Sequence, residues 1–145
     1  MIVSKKLNIL ILGLLILLID QQIFAQNVDF DRSNFKRKKA ELKLAKENIK
    51  EGDVFLAEAI EEALLLKDVS TIFNQALFFY YKAQDFNPNN SVLNYKIAKC
   101  LFFTNNKEKA PYHIERAREL QGEIPTDAIF YYAMCLQLQY KYDEA

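Results

Sequence analysis

The feature that most restricts the fold of this chain is an offset of about 34 residues between three alanines. Ala76, Ala110 and Ala145 are separated by 34 and 35 positions. Their neighbourhoods agree as well. Ala83 and Ala117 each follow by seven residues, and Tyr80 and Ile114 each follow by four. Ala98 and Ala133 each precede the next alanine by twelve. A period of this size, with small residues at fixed places, requires paired antiparallel helices that cross closely at the alanines. Only three Gly and three Pro occur in 145 residues, too few for the turns of a β-rich domain. The fold class expected is all-α. Pro88, within the run NPNN, marks a helix stop.

The residues at these places resemble the tetratricopeptide repeat family. The stretch 74–90 is similar to a second helix with its exit turn, 94–117 to a first helix, turn and second helix, and 130–145 to a first helix and the opening of a second. The resemblance implies a helix-turn-helix solenoid with frames at 57–90, 91–125 and 126–145. The first frame is degenerate, with Leu64 and Lys67 where a small residue and an aromatic or Leu are usual. Upstream, 26–34 reads as a loose N-terminal stretch and 36–52 as a helix, either a cap or half of a further repeat. The last segment, 126–142, is apolar around its whole circumference, whereas terminal repeats need a polar outer face. It therefore reads as an interior element of a truncated third repeat. Self-association through that incomplete repeat is expected.

Residues 1–25 read as a secretory signal peptide: Lys5 and Lys6, then 13 residues from Leu7 to Ile19 that are apolar except Asn8, then Ile23 and Ala25 before a cleavage point near Gln26. The run is shorter than the ~20 residues that span a bilayer, so no membrane insertion is expected after cleavage. Export to the periplasm or the outer-membrane region follows. The signal sequence and the repeat wording resemble Bacteroidota envelope proteins, in which such repeats precede a domain similar to outer-membrane protein A. Peptidoglycan binding would belong to that later domain.

Catalytic chemistry is not indicated. The single His113 falls mid-way along a second helix, where a surface or groove-edge role is expected. There is no glycine-rich phosphate loop and no spaced set of metal ligands, so neither cofactor nor metal is expected. Cys100 and Cys135 occupy equivalent places one frame apart, about a helix-packing distance of ~8–10 Å, too far for a disulfide. Lys+Arg and Asp+Glu balance at 19 each, which gives no general attraction to nucleic acid, and the basic run 36–39 reads as a solvated helix face.

Function is expected in the groove. The family resemblance places Val92, Tyr95, Lys99 and Phe102 of one frame, and Asp127, Phe130, Met134 and Gln137 of the next, on the concave side. Aromatic anchors with a few polar groups suit a protein or peptide partner. The reading is an exported interaction scaffold of the cell envelope, not an enzyme. A stand-alone periplasmic adaptor or chaperone for extended polypeptides is the alternative.

Overall fold

A computed structural model describes residues 26–142, with side chains up to Leu138. The expected signal peptide, residues 1–25, and residues 143–145 lie outside the described residues. Five α-helices form: α1 (Lys39–Leu64), α2 (Ser70–Phe86), α3 (Ser91–Phe102), α4 (Ala110–Glu119) and α5 (Ala128–Tyr142). Among the described residues there is no strand, so the all-α class holds. None of these helices is long and apolar enough to cross a membrane. Short connections make successive helices antiparallel, and each packs on the next, most closely α1 on α2 and α3 on α4.

α1 departs from the sequence reading. A helix over 36–52 and the start of a new frame at 57 are both expected, yet a single helix runs from 39 to 64. Gly52, inside that helix, is a packing position. A Cβ there would meet Tyr80 Cε1 at 2.5 Å, so the tyrosine ring lies directly on the glycine backbone. The Tyr80 hydroxyl then donates to Asp53 Oδ1 at 2.7 Å. Burial of this ring offsets the ~1 kcal/mol that glycine costs inside a helix.

The other helix ends follow local chemistry. Asp68 Oδ1 accepts the Ser70 N–H at 3.0 Å as α2 begins. α2 ends ahead of Pro88, and Asn90 caps α3 by accepting the Leu93 N–H at 2.9 Å. Pro111 stands in the first turn of α4, where its missing N–H costs nothing. Gln121, at φ 54°, turns the chain out of α4.

The aligned small residues Ala76, Ala83, Ala98, Ala110 and Ala117 are all buried, with Phe73, Tyr80, Ile97, Leu101 and Ile114 filling the space beside them. Ala133 breaks the pattern and is exposed.

Residues 27–35 are not a loose stretch. Asn27 N–H donates to the Leu120 carbonyl (3.0 Å), and Asn27 Oδ1 accepts the Ser91 N–H (2.9 Å). Val28 N–H donates to the Asn89 carbonyl (2.7 Å), while Asn87 Nδ2 donates to the Val28 carbonyl (2.7 Å). Phe30 and Phe35 pack on Phe86. The segment is a strap across the 87–91 turn and the end of α4. Periodicity carries no signal for such a segment, because its contacts are made by single polar groups.

Candidate protein-binding face

α1, α3 and α5 run parallel, and two ion pairs fix their register. Lys96 of α3 meets Asp53 of α1 at 2.6 Å, and Lys99 of α3 meets Asp127, just ahead of α5, at 2.9 Å. Each α3 lysine is thus matched by a carboxylate from a neighbouring helix. Lys99 has only 14% of its side chain exposed, and its Nζ also lies 5.1 Å from the Tyr131 ring centroid and 5.8 Å from that of Tyr95. Burial works to raise the Asp127 carboxyl, but the Lys99 ammonium and the nearby Tyr95 hydroxyl together hold the group below its usual range.

The expected groove residues divide. Lys99 and Asp127 come together, as described. Val92, Phe102 and Met134 are partly buried, and Gln137 is exposed. Phe130 is 60% exposed, but Tyr95 is only 3% exposed. The groove assignment of Tyr95 is corrected: its ring packs beneath the face, 6.2 Å from the Tyr131 ring. Its hydroxyl is buried without a hydrogen bond of good geometry. Burial first, and then the nearby Asp127 carboxylate, push its pKa well above the tyrosine range.

The sequence reading missed Tyr131. Its ring stands 5.9 Å from Phe102, 6.1 Å from Phe103 and 5.4 Å from Phe130, each edge to face, at the centre of an aromatic array. Phe103 and Phe130 keep exposed surface above it. The register set by Asp53–Lys96 extends this patch toward α1. Seven residues beyond each partner come Ile60 on α1 and Phe103 at the end of α3, and Leu64 follows Ile60 one turn later. Both α1 residues are exposed. Ile60, Leu64, Phe103 and Phe130 are thus exposed apolar positions that the helical register assigns to one side of α1, α3 and α5.

No family model, curated protein or solved structure matches this chain. The chemistry of the face is therefore read from its own residues. Its two central lysines are already neutralised, so it offers no open cation to a carboxylate. It offers aromatic edges and aliphatic tips, which favour a partner that brings apolar anchors.

His113, expected at the surface or a groove edge, is buried at 8% exposure and lines a cleft. Its Nδ1 is 3.2 Å from Asn94 Oδ1, which also accepts from Gln84 Nε2 at 3.0 Å. Burial pushes its pKa down to about 4, so it stays neutral at pH 7. These three side chains, with Arg116 and Asn89, line a polar cleft of about 570 Å³ between α2 and α4. Cys100 and Cys135 are free thiols. Burial raises them to about 12 and about 11, so neither is poised as a nucleophile. Among the described residues, no three His, Cys, Asp or Glu side chains gather as a metal would need.

Proposed function

We propose that this chain is a helical interaction scaffold of tetratricopeptide-like architecture that binds a polypeptide segment through apolar anchors along α1, α3 and α5. The observation that carries this reading is the exposure of Phe103 and Phe130 around the Tyr131 ring, with Ile60 and Leu64 of α1 exposed at the matching register. Monomeric proteins rarely leave such rows uncovered without a use for them. A peptide-display selection on the intact chain tests it. Selected peptides should carry aromatic or aliphatic anchors, and Phe103→Ala with Phe130→Ala should weaken them by about tenfold or more. Phe78→Ala, on an exposed α2 position, should not. Equal loss in both variants, or loss only with Phe78→Ala, overturns the reading.

The N-terminal run supports export to the periplasm or the outer-membrane region, where such a scaffold would join envelope components. Retention at the membrane by an uncleaved run is the second reading. It is favoured by five Lys or Arg in the 20 residues after Ile19, against Lys5 and Lys6 before it. Mass spectrometry of the envelope-associated protein decides between them. A start near Gln26 supports export, and an intact Met1 supports retention.

A further inference from the structure

The balanced net charge conceals a strong segregation. Residues 32–50 hold eight Lys or Arg and two Glu, a net of +6, so the rest of the neutral chain carries −6. In the fold these charges converge. Arg32 of the strap and Lys39, Lys43, Lys46 and Lys50 of α1 line one open cleft of about 440 Å³. All five are exposed, and the described ion pair within the set, Lys43–Glu47 at 3.7 Å, lies in solvent. Glu41 accompanies Lys39 in the first turn of α1, and Lys43, Lys46 and Lys50 follow into the same cleft, while the last turn holds no base.

We infer that the basic face of α1 rests on an anionic phospholipid surface. Lys39 to Lys50 extends over about 17 Å of helix, too long and too open for one small anion. Phe35, the aromatic nearest this stretch in sequence, is half-buried on Phe86, so base stacking of a single-stranded nucleic acid lacks a platform. Chain length supplies the second argument. Asn27 is pinned to Leu120 and Ser91, and eight residue steps separate it from Ile19, the end of the apolar run. Those steps reach at most ~28 Å. On the retention reading above, on which this step rests, a bilayer that keeps the run holds the domain within about that distance of its headgroups, where clustered lysines are attracted. This inference does not depend on the apolar row of α1, α3 and α5.

Lysine acetylation of the full chain, mixed with vesicles, tests it residue by residue. With phosphatidylglycerol vesicles, Lys39, Lys43, Lys46 and Lys50 should react about fivefold more slowly than with phosphatidylcholine vesicles, while Lys82 and Lys107 stay unchanged. Roughly 0.5 M salt should abolish the difference. Lys43→Glu with Lys46→Glu, both at exposed positions, should abolish it at low salt with an unchanged helical spectrum. Equal protection on both vesicles, or none on either, overturns the inference. So does equal or stronger protection by transfer RNA or polyglutamate in solution, which would assign the face to another polyanion.

Discussion

α3 and α5 are related by a shift of 35 residues and carry similar side chains, yet they are buried to very different extents. Tyr95 is 3% exposed and its counterpart Phe130 is 60% exposed. Ala98 is buried and Ala133 is not, while Cys100 and Cys135 are both buried. Asn94 lies in the core within a hydrogen-bond network, whereas its counterpart Ile129 is 76% exposed. α3 packs against α2, α4 and α5; among the described elements α5 rests mainly on α4 and α3. Residue type thus does not set burial here. Coverage by neighbours does, and α5 presents to solvent the side chains that α3 keeps inside.

Tyr95→Ala breaks the covered side of that comparison and should have the largest effect. Truncating a buried aromatic costs about 3–5 kcal/mol. A denaturant melt reads this directly, and a loss below about 1 kcal/mol would return Tyr95 to the surface. Tyr95→Phe sharpens the point. The buried hydroxyl has no well-formed hydrogen bond, so its removal should leave stability unchanged or slightly raised.

The second test concerns the polar network that α3 has and α5 lacks. His113 has its pKa lowered by burial from 6.5 to about 4. Above pH 6.5 the ring is neutral in both folded and unfolded chains, so it adds no pH dependence. Below that, the unfolded chain takes up a proton that the folded chain refuses. Stability therefore falls as pH drops from about 6.5 through 4 and levels off beneath, with roughly 3 kcal/mol as the ceiling. Denaturation midpoints at pH 7.5 and 4.5 should show the loss. His113→Gln should flatten this part of the profile, and an unchanged slope would mean that other groups cause it.

Much of the helical framework was legible because it rests on local chemistry. Pro88 marks the stop that ends α2 at Phe86, and the few Gly and Pro point to the all-α class that the described residues show. The extent of α1 was not legible, since the packing of Tyr80 on Gly52 within one continuous helix is a tertiary contact. The strap was missed because single asparagine hydrogen bonds leave no periodic trace. In the candidate face, the family resemblance named Lys99, Asp127 and Phe130; the first two form an ion pair and the third is exposed. Tyr131 was missed and Tyr95 misplaced, because helical phase gives a direction but not the depth of a neighbour's side chain. The basic run at 36–39 was seen but read as a solvated face, because its convergence with Arg32, Lys43, Lys46 and Lys50 on one cleft is a product of the fold.

The helix start offers a third contrast. Asn90 caps α3 and also donates through Nδ2 to the Val28 carbonyl at 3.2 Å. The position 35 residues on is Pro125, which cannot do either. Asn90→Ala should cost about 1–2 kcal/mol, the value of a lost cap plus a weakened strap contact. Hydrogen exchange should show faster opening at Leu93 and at Val28 together. Faster exchange at Leu93 alone would separate the strap from the cap.

Phe130→Ala should have the smallest effect on stability. Fully burying a Phe-sized group contributes about 1.5–3 kcal/mol, and more than half of this ring is already in water, so the loss should stay below about 1 kcal/mol. Its edge contact with Tyr131 is the main interaction removed. The same substitution should still weaken peptides selected on the apolar row, which separates a binding residue from a structural one. The comparison with Tyr95 breaks if Phe130→Ala proves as costly as Tyr95→Ala. In that case the outer face of α5 is covered in solution. Melts over a hundredfold range of protein concentration then identify the cover: a midpoint that rises with concentration means a second copy seated on α5. A midpoint independent of concentration means that an element of the same chain lies over Phe130.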